Sequence, residues 1–143
     1  MQSYDPYELM ITPSNKKGEM IIDEILKEDK ANLNLVSDLI VLGANLDWQD
    51  EDGSTALHWC AVNNHSEIAR MLIDAGADLN IQNNYGTTAL HKCVYWNSPE
   101  IAKMLIDAGA DKTIPNNDGK RPYELAESKE LKELKELKEL LYP

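Results

Sequence analysis

Two of the three histidines and both cysteines of this chain recur at matching positions and are of types that could together bind a zinc ion. They occur as His58 and Cys60, and again as His91 and Cys93. Imidazole nitrogens and thiolate sulfurs are preferred ligands of Zn²⁺, and two of each would complete a tetrahedral structural site. The four side chains can meet at one ion only if the surrounding elements bring them together.

The segments around these residues are copies of one another, 33 residues apart. Residues 52–60 read Asp-Gly-Ser-Thr-Ala-Leu-His-Trp-Cys, and residues 85–93 read Tyr-Gly-Thr-Thr-Ala-Leu-His-Lys-Cys. The segments that follow, 67–78 and 100–111, differ only by an Arg in the first and a Lys in the second. A fixed period of this length indicates stacked repeats, in which each unit buries its apolar face against its neighbours.

Each copy is predicted to form two short helices followed by a hairpin-like loop. Apolar residues such as Ile68 and Leu72 recur at helical spacing. The sequence Ser-Pro-Glu at 98–100 is typical of a helix start, because Pro suits the first turn and Glu the positive end of the helix dipole. Gly76 and Gly109 are predicted to end the second helices.

This arrangement argues against a zinc site and against catalysis. Equivalent positions on successive stacked helices are expected to lie about 8 to 10 Å apart. That separation is too large for one metal ion, and also for an unstrained disulfide between Cys60 and Cys93. The sequence shows no nucleophile placed beside a base and an orienting acid, and no glycine-rich phosphate loop. We therefore predict no metal, no cofactor, no catalytic residue and no enzymatic activity.

The repeat resembles that of the ankyrin family, whose first helix opens with Thr-Pro-Leu-His. The motif occurs as Thr-Ala-Leu-His at residues 55–58 and 88–91, and residues 121–126, Arg-Pro-Tyr-Glu-Leu-Ala, keep the Pro but lose the Thr and the His. Residues 39–47 match the second helix and loop of an earlier repeat. The resemblance implies an all-α ankyrin-repeat solenoid of about four stacked helix-turn-helix units, with two full repeats and degenerate N- and C-terminal caps.

The domain organisation follows from this alignment. It comprises a leader segment at 1–16, an ankyrin-repeat domain at 17–127 with repeats at about 17–49, 50–82, 83–115 and 116–127 onward, and a C-terminal helix of Lys-Glu-Leu repeats at 128–143. Lys, Glu and Leu all favour helix, and leucines on one face of this helix would seal the last repeat. A coiled-coil or partner-binding helix is the alternative interpretation.

The resemblance also implies roles for individual side chains. His58 and His91 would close hydrogen-bond networks at the helix starts, and the two cysteines would be core residues. His65 would have a structural role in its loop. Asn80, with Leu72 and Asp78 before it, resembles an ankyrin asparagine hydroxylation site, but a loop asparagine that only stabilises the hairpin is the favoured interpretation.

Composition limits the partners and the compartment. The 143 residues include 14 Lys and Arg against 25 Asp and Glu, a formal net charge of -11, which repels nucleic acid and anionic membranes and favours a partner with a basic or mixed surface. Without an export signal, an apolar span or a disulfide framework, the chain is expected to be a monomer in the cytoplasm or nucleus. The absence of Phe, with much Asn and Lys, hints at a viral or microbial source acting inside a host cell.

The positions that differ between the two full repeats are free to specialise in binding. In the ankyrin family the loop tips and first helices form a concave surface that grips partners, and aromatic residues dominate interface hot spots. We predict that a partner-binding surface is formed by Trp48, Glu51, Asp52, Tyr85, Lys92, Tyr95 and Trp96. Trp59 is open to two interpretations, as a core residue or as part of this surface.

Three functions are compatible with such a surface. The first is a protein-protein interaction module that acts as an adaptor or inhibitor. The second is a sensor of a small nucleotide-like ligand, held between Trp59, Trp96 and Lys92 by stacking and charge. The third is an acidic decoy that sequesters a basic protein.

Overall fold

A computed structural model describes residues 4–127 and 134–143 of the chain. Within those ranges the prediction of an all-α fold is confirmed, since the chain forms nine α-helices and no strand. None of these helices is long and apolar enough to span a membrane. The helices are α1 (Pro6–Ile11), α2 (Ser14–Ile25), α3 (Leu33–Val41), α4 (Ala56–Asn63), α5 (Ser66–Asp74), α6 (Ala89–Tyr95), α7 (Pro99–Asp107), α8 (Pro122–Glu127) and α9 (Lys135–Leu141).

Eight of these helices pair into four two-helix units that stack in two rows. Within the units α2 contacts α3, α4 contacts α5, α6 contacts α7, and α8 contacts α9. Between units the first helices form one row, α2 to α4 to α6 to α8, and the second helices form the other, α3 to α5 to α7 to α9. The apolar core runs continuously between the rows, as expected for repeats that cannot bury their apolar faces alone.

The first helix of each full repeat begins at a threonine that is capped by a histidine three residues later. In α6 the Thr88 N–H donates to His91 Nδ1 at 3.1 Å, and the His91 N–H donates to Thr88 Oγ1 at 3.4 Å. These reciprocal bonds satisfy N–H groups that have no partner within the helix. Thr55 and His58 occupy the same positions at the start of α4, so the Thr-Ala-Leu-His motif is a helix-start signal in both repeats.

The second helices end at the predicted glycines. Helix α5 ends at Asp74, and Gly76 has φ +89°. The Gly76 N–H donates to the Ile73 carbonyl at 3.0 Å, and the Ala77 N–H donates to the Leu72 carbonyl at 3.1 Å. This is the Schellman pairing, which needs a left-handed residue after the helix and therefore favours glycine.

The N-terminal unit begins further upstream than the sequence indicates. Helix α2 starts at Ser14 instead of near Lys17, and α1 forms within the predicted leader segment 1–16. Pro6 suits the first turn of α1 because that position needs no N–H donor. Leu9 of α1 is buried in the core, so this part of the chain packs on the repeats.

The C-terminal unit is closed by α9. Residues 128–133, which include Leu131 of the Lys-Glu-Leu repeats, lie outside the described part of the chain. In α9 and the residue before it, Leu134, Leu137 and Leu141 are buried, and the helix contacts α7 and α8. These contacts are those that a capping helix would make.

Successive loops pair with one another at their tips. The Asn84 N–H donates to the Asp52 carbonyl at 2.9 Å, and the Asn117 N–H donates to the Tyr85 carbonyl at 3.0 Å. Gly86 has φ +72°, and a Cβ atom there would lie 2.5 Å from the Oδ1 atom of Asn117. Glycine is therefore required at this turn both by its backbone conformation and by the approach of the next loop.

Candidate functional site

His58 joins its own helix start to the next repeat. Its Nδ1 accepts the Thr55 N–H at 3.0 Å, and its Nε2 lies 2.7 Å from the Thr87 carbonyl oxygen. Because a carbonyl only accepts, Nε2 carries the proton and Nδ1 is the acceptor. Burial lowers the pKa of the imidazole to about 4. Both nitrogens of this neutral ring are engaged, which leaves neither for a metal ion.

His91 repeats this arrangement one unit later. Its Nδ1 accepts the Thr88 N–H, its Nε2 lies 2.8 Å from the Lys120 carbonyl oxygen, and burial lowers its pKa. Cys60 and Cys93 are fully buried, and burial raises the pKa of the Cys93 thiol to about 12 and that of Cys60 further. Such thiols stay protonated, whereas zinc ligation requires thiolates. Across residues 4–127 and 134–143, no three His, Cys, Asp or Glu side chains are grouped so as to hold a metal ion.

Trp59 is half-buried and held by the preceding loop. Its Nε1–H donates to Asp50 Oδ2 at 2.8 Å. The other carboxylate oxygen of Asp50 accepts the N–H groups of Asp52 and Ser54 at 2.9 and 3.0 Å. Trp59 therefore packs partly against the core and partly against a loop. It combines features of both interpretations from the sequence, a core residue and a surface residue.

Three exposed aromatic side chains surround one cavity of about 490 Å³, which we call the aromatic pocket. Tyr85, Tyr95 and Trp96 keep 64%, 41% and 56% of their surfaces exposed. Tyr95 and Trp96 end α6, and Asn97 turns the chain away from them with φ +49°. The pocket is lined by Tyr85, Thr87, Lys92, Tyr95, Trp96, Asn116 and Asp118. It thus brings together four residues predicted from the sequence.

A smaller cavity of about 40 Å³, the tryptophan pocket, adjoins the first. Both cavities are lined by Tyr85 and Lys92, so these two residues form the boundary between them. The tryptophan pocket is lined by Asp52, Ser54, His58, Trp59, Val62, Asn83, Tyr85 and Lys92. Trp59 and Trp96 consequently face different cavities, with Lys92 shared by both.

Two of the predicted surface residues line neither pocket. Glu51 is exposed at a loop tip, where its carbonyl accepts the Asn84 side-chain N–H at 2.9 Å. Trp48 is half-buried, and its Cβ lies 2.9 Å from where a Cβ on Gly18 would be. Trp48 therefore packs closely against α2, the helix that contains Gly18.

The third loop contributes residues that the sequence comparison missed. Asn116 is 8% exposed, and its Oδ1 accepts the N–H groups of Asp118 and Lys120, each at 3.0 Å. Asp118 is exposed at the loop tip. Asn116 and Asp118 follow Asn83 and Tyr85 by 33 residues, but a comparison of the two full repeats alone does not extend to this loop.

Asn80 lies in the exposed hairpin between two repeats. Its Oδ1 accepts the Asp111 N–H at 2.8 Å, and its own N–H donates to Asp78 Oδ1 at 2.9 Å. These bonds are what a hairpin-stabilising asparagine makes. Hydroxylation of Asn80 stays a prediction, which mass spectrometry of the chain from its host would test.

Paired helices recur along the described part of the chain, and the Thr-to-His cap and the link between successive loops each occur twice in its centre. A family model described as ankyrin repeats, in three copies, matches residues 25–116. The chain belongs to the ankyrin-repeat family. No curated protein matches it. Ankyrin repeats are in general protein-protein interaction modules and are typically non-catalytic.

Proposed function

We propose that this ankyrin-repeat protein is an adaptor or inhibitor that binds a target protein through its concave face. The observation that carries the proposal is the grouping of Tyr85, Tyr95 and Trp96, all exposed, around one pocket. Large aromatic side chains left in water cost solvation free energy, which burial against a partner recovers. They also lose little conformational entropy on binding, and for this reason they dominate hot spots.

The rest of the surface supports a protein target with a basic or mixed face. Asp52 and Asp118 stand at loop tips on either side of Tyr85, since the three occupy one position of successive repeats. The formal net charge of -11 attracts a positively charged surface over long range and speeds its association. Glu51 and Trp48 belong to the outer part of this proposed surface.

Affinity capture from host lysate tests the proposal. The intact chain is compared with a variant carrying Tyr85→Ala, Tyr95→Ala and Trp96→Ala, after circular dichroism shows that both are helical. A matched control carries Tyr7→Ala, Ile11→Ala and Val41→Ala, which removes side chains that are 79–84% exposed and lie outside both pockets. We expect the control to capture the same proteins as the intact chain and the aromatic variant to lose them. Equal capture by all three chains would contradict the proposal.

A small-ligand sensor is the second candidate, favoured by the size of the aromatic pocket. About 490 Å³ lies within the range of cavities that hold small molecules. Here Lys92 and Trp96 would hold the ligand, with Trp59 on the far side of Lys92. A nucleotide at 100 times its dissociation constant would raise the free energy of unfolding by about 2.7 kcal/mol, which a thermal-shift screen detects. Capture that survives the aromatic substitutions but is lost in high salt would favour the acidic decoy instead.

A further inference from the structure

Asn116 and Lys92, two of the polar residues that line the aromatic pocket, each carry a side-chain nitrogen that donates hydrogen bonds. Both side-chain hydrogen bonds of Asn116 within the described part of the chain use Oδ1, whereas the equivalent Asn83 also donates its Nδ2 to Ser54 Oγ at 3.3 Å. Throughout that part of the chain, no fully buried side-chain nitrogen or oxygen lacks a partner. The Nδ2 group of Asn116 therefore keeps some contact with solvent, and the residue lines the aromatic pocket although as a whole it is more than nine-tenths buried.

Lys92 supplies a second donor to the same pocket. This side chain is half-buried, lines the same pocket, and forms no ion pair with the described residues. On a chain with 25 acidic residues, a half-buried lysine without a carboxylate partner is an unmatched charge. An ammonium group and an amide Nδ2 can only donate, so together they require an acceptor.

The one carboxylate that lines this pocket lies at its edge. Asp118 is exposed, whereas Asn116 is buried and Lys92 is half-buried. Electrostatic interactions are weaker in solvent than in a partly buried site, so we expect Lys92 and Asn116 to influence the choice of occupant more than Asp118 does. Asp118 and Asp52, at neighbouring loop tips, are then available to pair with basic groups around that occupant.

We propose that the aromatic pocket accepts a carboxylate side chain of the partner protein, flanked in the partner by basic residues. The carboxylate pairs with Lys92 and accepts a hydrogen bond from Asn116 Nδ2, while its apolar stem packs on Tyr85 and Trp96. A partner segment fits better than a free anion, because a net charge of -11 repels a lone carboxylate unless cations accompany it. The proposal rests on the proposed function and specifies the chemistry of the same surface.

Three small aromatic compounds that differ in their polar group test which polar group the aromatic pocket prefers. Phenylacetate, phenylacetamide and benzylamine are titrated into the full chain, and the indole N–H signal of Trp96 is followed by NMR. We expect phenylacetate to bind about tenfold more tightly than benzylamine, with a dissociation constant on the order of 10 mM. Phenylacetamide should lie between them. Tightest binding by benzylamine, or no response to phenylacetate, would overturn the proposal.

Two substitutions tie the preference to the named donors. Lys92→Met removes the charge at similar length, and Asn116→Asp keeps the loop, because Asp50 makes the same two bonds at this position of an earlier repeat. Both variants should lose the preference for phenylacetate, whereas Lys103→Met, which removes an exposed lysine paired with Asp107 on α7, should retain it. An unchanged preference in the first two variants would contradict the assignment.

Two peptides then separate a partner segment from a free anion. One carries a central glutamate with lysine at both ends, and the other has serine at both ends. The lysine-flanked peptide should bind more tightly in low salt, and equal binding would overturn the proposed role of the flanking groups.

If capture depends on the three aromatics while benzylamine binds best, this inference fails and the proposed function stands. If phenylacetate binds but capture is unaffected, the proposed function fails instead.

Discussion

The Nε2 atom of His58 lies 2.7 Å from the carbonyl oxygen of Thr87, so one side chain of the second repeat is bonded to the loop of the third. His91 makes the equivalent bond to Lys120 at 2.8 Å. Because each histidine also caps its own helix, the start of one repeat and the loop of the next are held together. This link keeps Tyr85 and α6 in register with α4, and it therefore shapes the boundary between the two pockets.

His58→Ala is expected to lower the free energy of unfolding by about 2 to 4 kcal/mol. The substitution leaves the Thr87 carbonyl and the Thr55 N–H without their buried partner and removes a fully packed ring. Urea denaturation monitored by circular dichroism measures the change. His65→Ala, in a half-buried loop position, serves as the control and should cost no more than about 0.5 kcal/mol. Equal costs would mean that the inter-repeat bond contributes little.

The stability of the protein should fall as the pH drops from about 6.5 to about 4. Burial holds the pKa of His58 at about 4, below the usual 6.5, so the unfolded chain binds a proton that the folded chain does not. The contribution of the neutral ring is therefore complete above pH 6.5 and is lost towards pH 4. Comparing the denaturation of the intact chain with that of the His58→Gln variant isolates this contribution, because the titration of the other groups is common to both proteins. The difference between them should shrink by about 2 kcal/mol between pH 7.5 and 5, and a constant difference would be inconsistent with a buried neutral His58.

Gly86→Ala should destabilise the protein more than Gly76→Ala. Both glycines have positive φ, +72° and +89°, so both substitutions carry backbone strain of about 1 to 2 kcal/mol. A Cβ at Gly86 would also lie 2.5 Å from Asn117 Oδ1, whereas nothing lies within 4 Å of one at Gly76. Urea denaturation of the two variants tests the difference. Identical losses would show that the loops can separate without cost.

Leu137→Ala in α9 should lower the free energy of unfolding by about 2 to 4 kcal/mol, because this side chain is completely buried. Leu140→Ala is the matched control, since Leu140 is half-buried on the same helix and should cost less. Hydrogen exchange in α8 should also become faster in the Leu137 variant. If the two substitutions lower the free energy of unfolding equally, α9 does not cover the last repeat, and the partner-binding interpretation of this helix gains support.

The 33-residue period predicts most of the fold, because it repeats the signals that start and end helices. The Thr-Ala-Leu-His motif and the glycines after the second helices act through local hydrogen bonds, which any copy of the sequence reproduces. Helix α1 was not predicted, since a six-residue helix offers too few apolar positions to show a period. Its stability comes instead from packing Leu9 on the repeats.

The candidate site was predicted in part. Comparing the two full repeats identifies Tyr85, Lys92, Tyr95 and Trp96, because positions not needed for folding are free to differ. It cannot identify Asn116, which matches Asn83 and has the same structural role in its loop. Only the three-dimensional arrangement shows that Asn116 lines the aromatic pocket.

The most direct test of the account is the affinity of the captured partner for the intact chain and for a double variant, Tyr95→Ala with Trp96→Ala, measured by isothermal titration calorimetry. These two side chains flank the pocket and are exposed, so the variant should stay folded. The account predicts that binding weakens at least about 100-fold, the loss of roughly 2.7 kcal/mol expected for a hot spot. Binding as tight as that of the intact chain would contradict the central claim that this surface holds the partner.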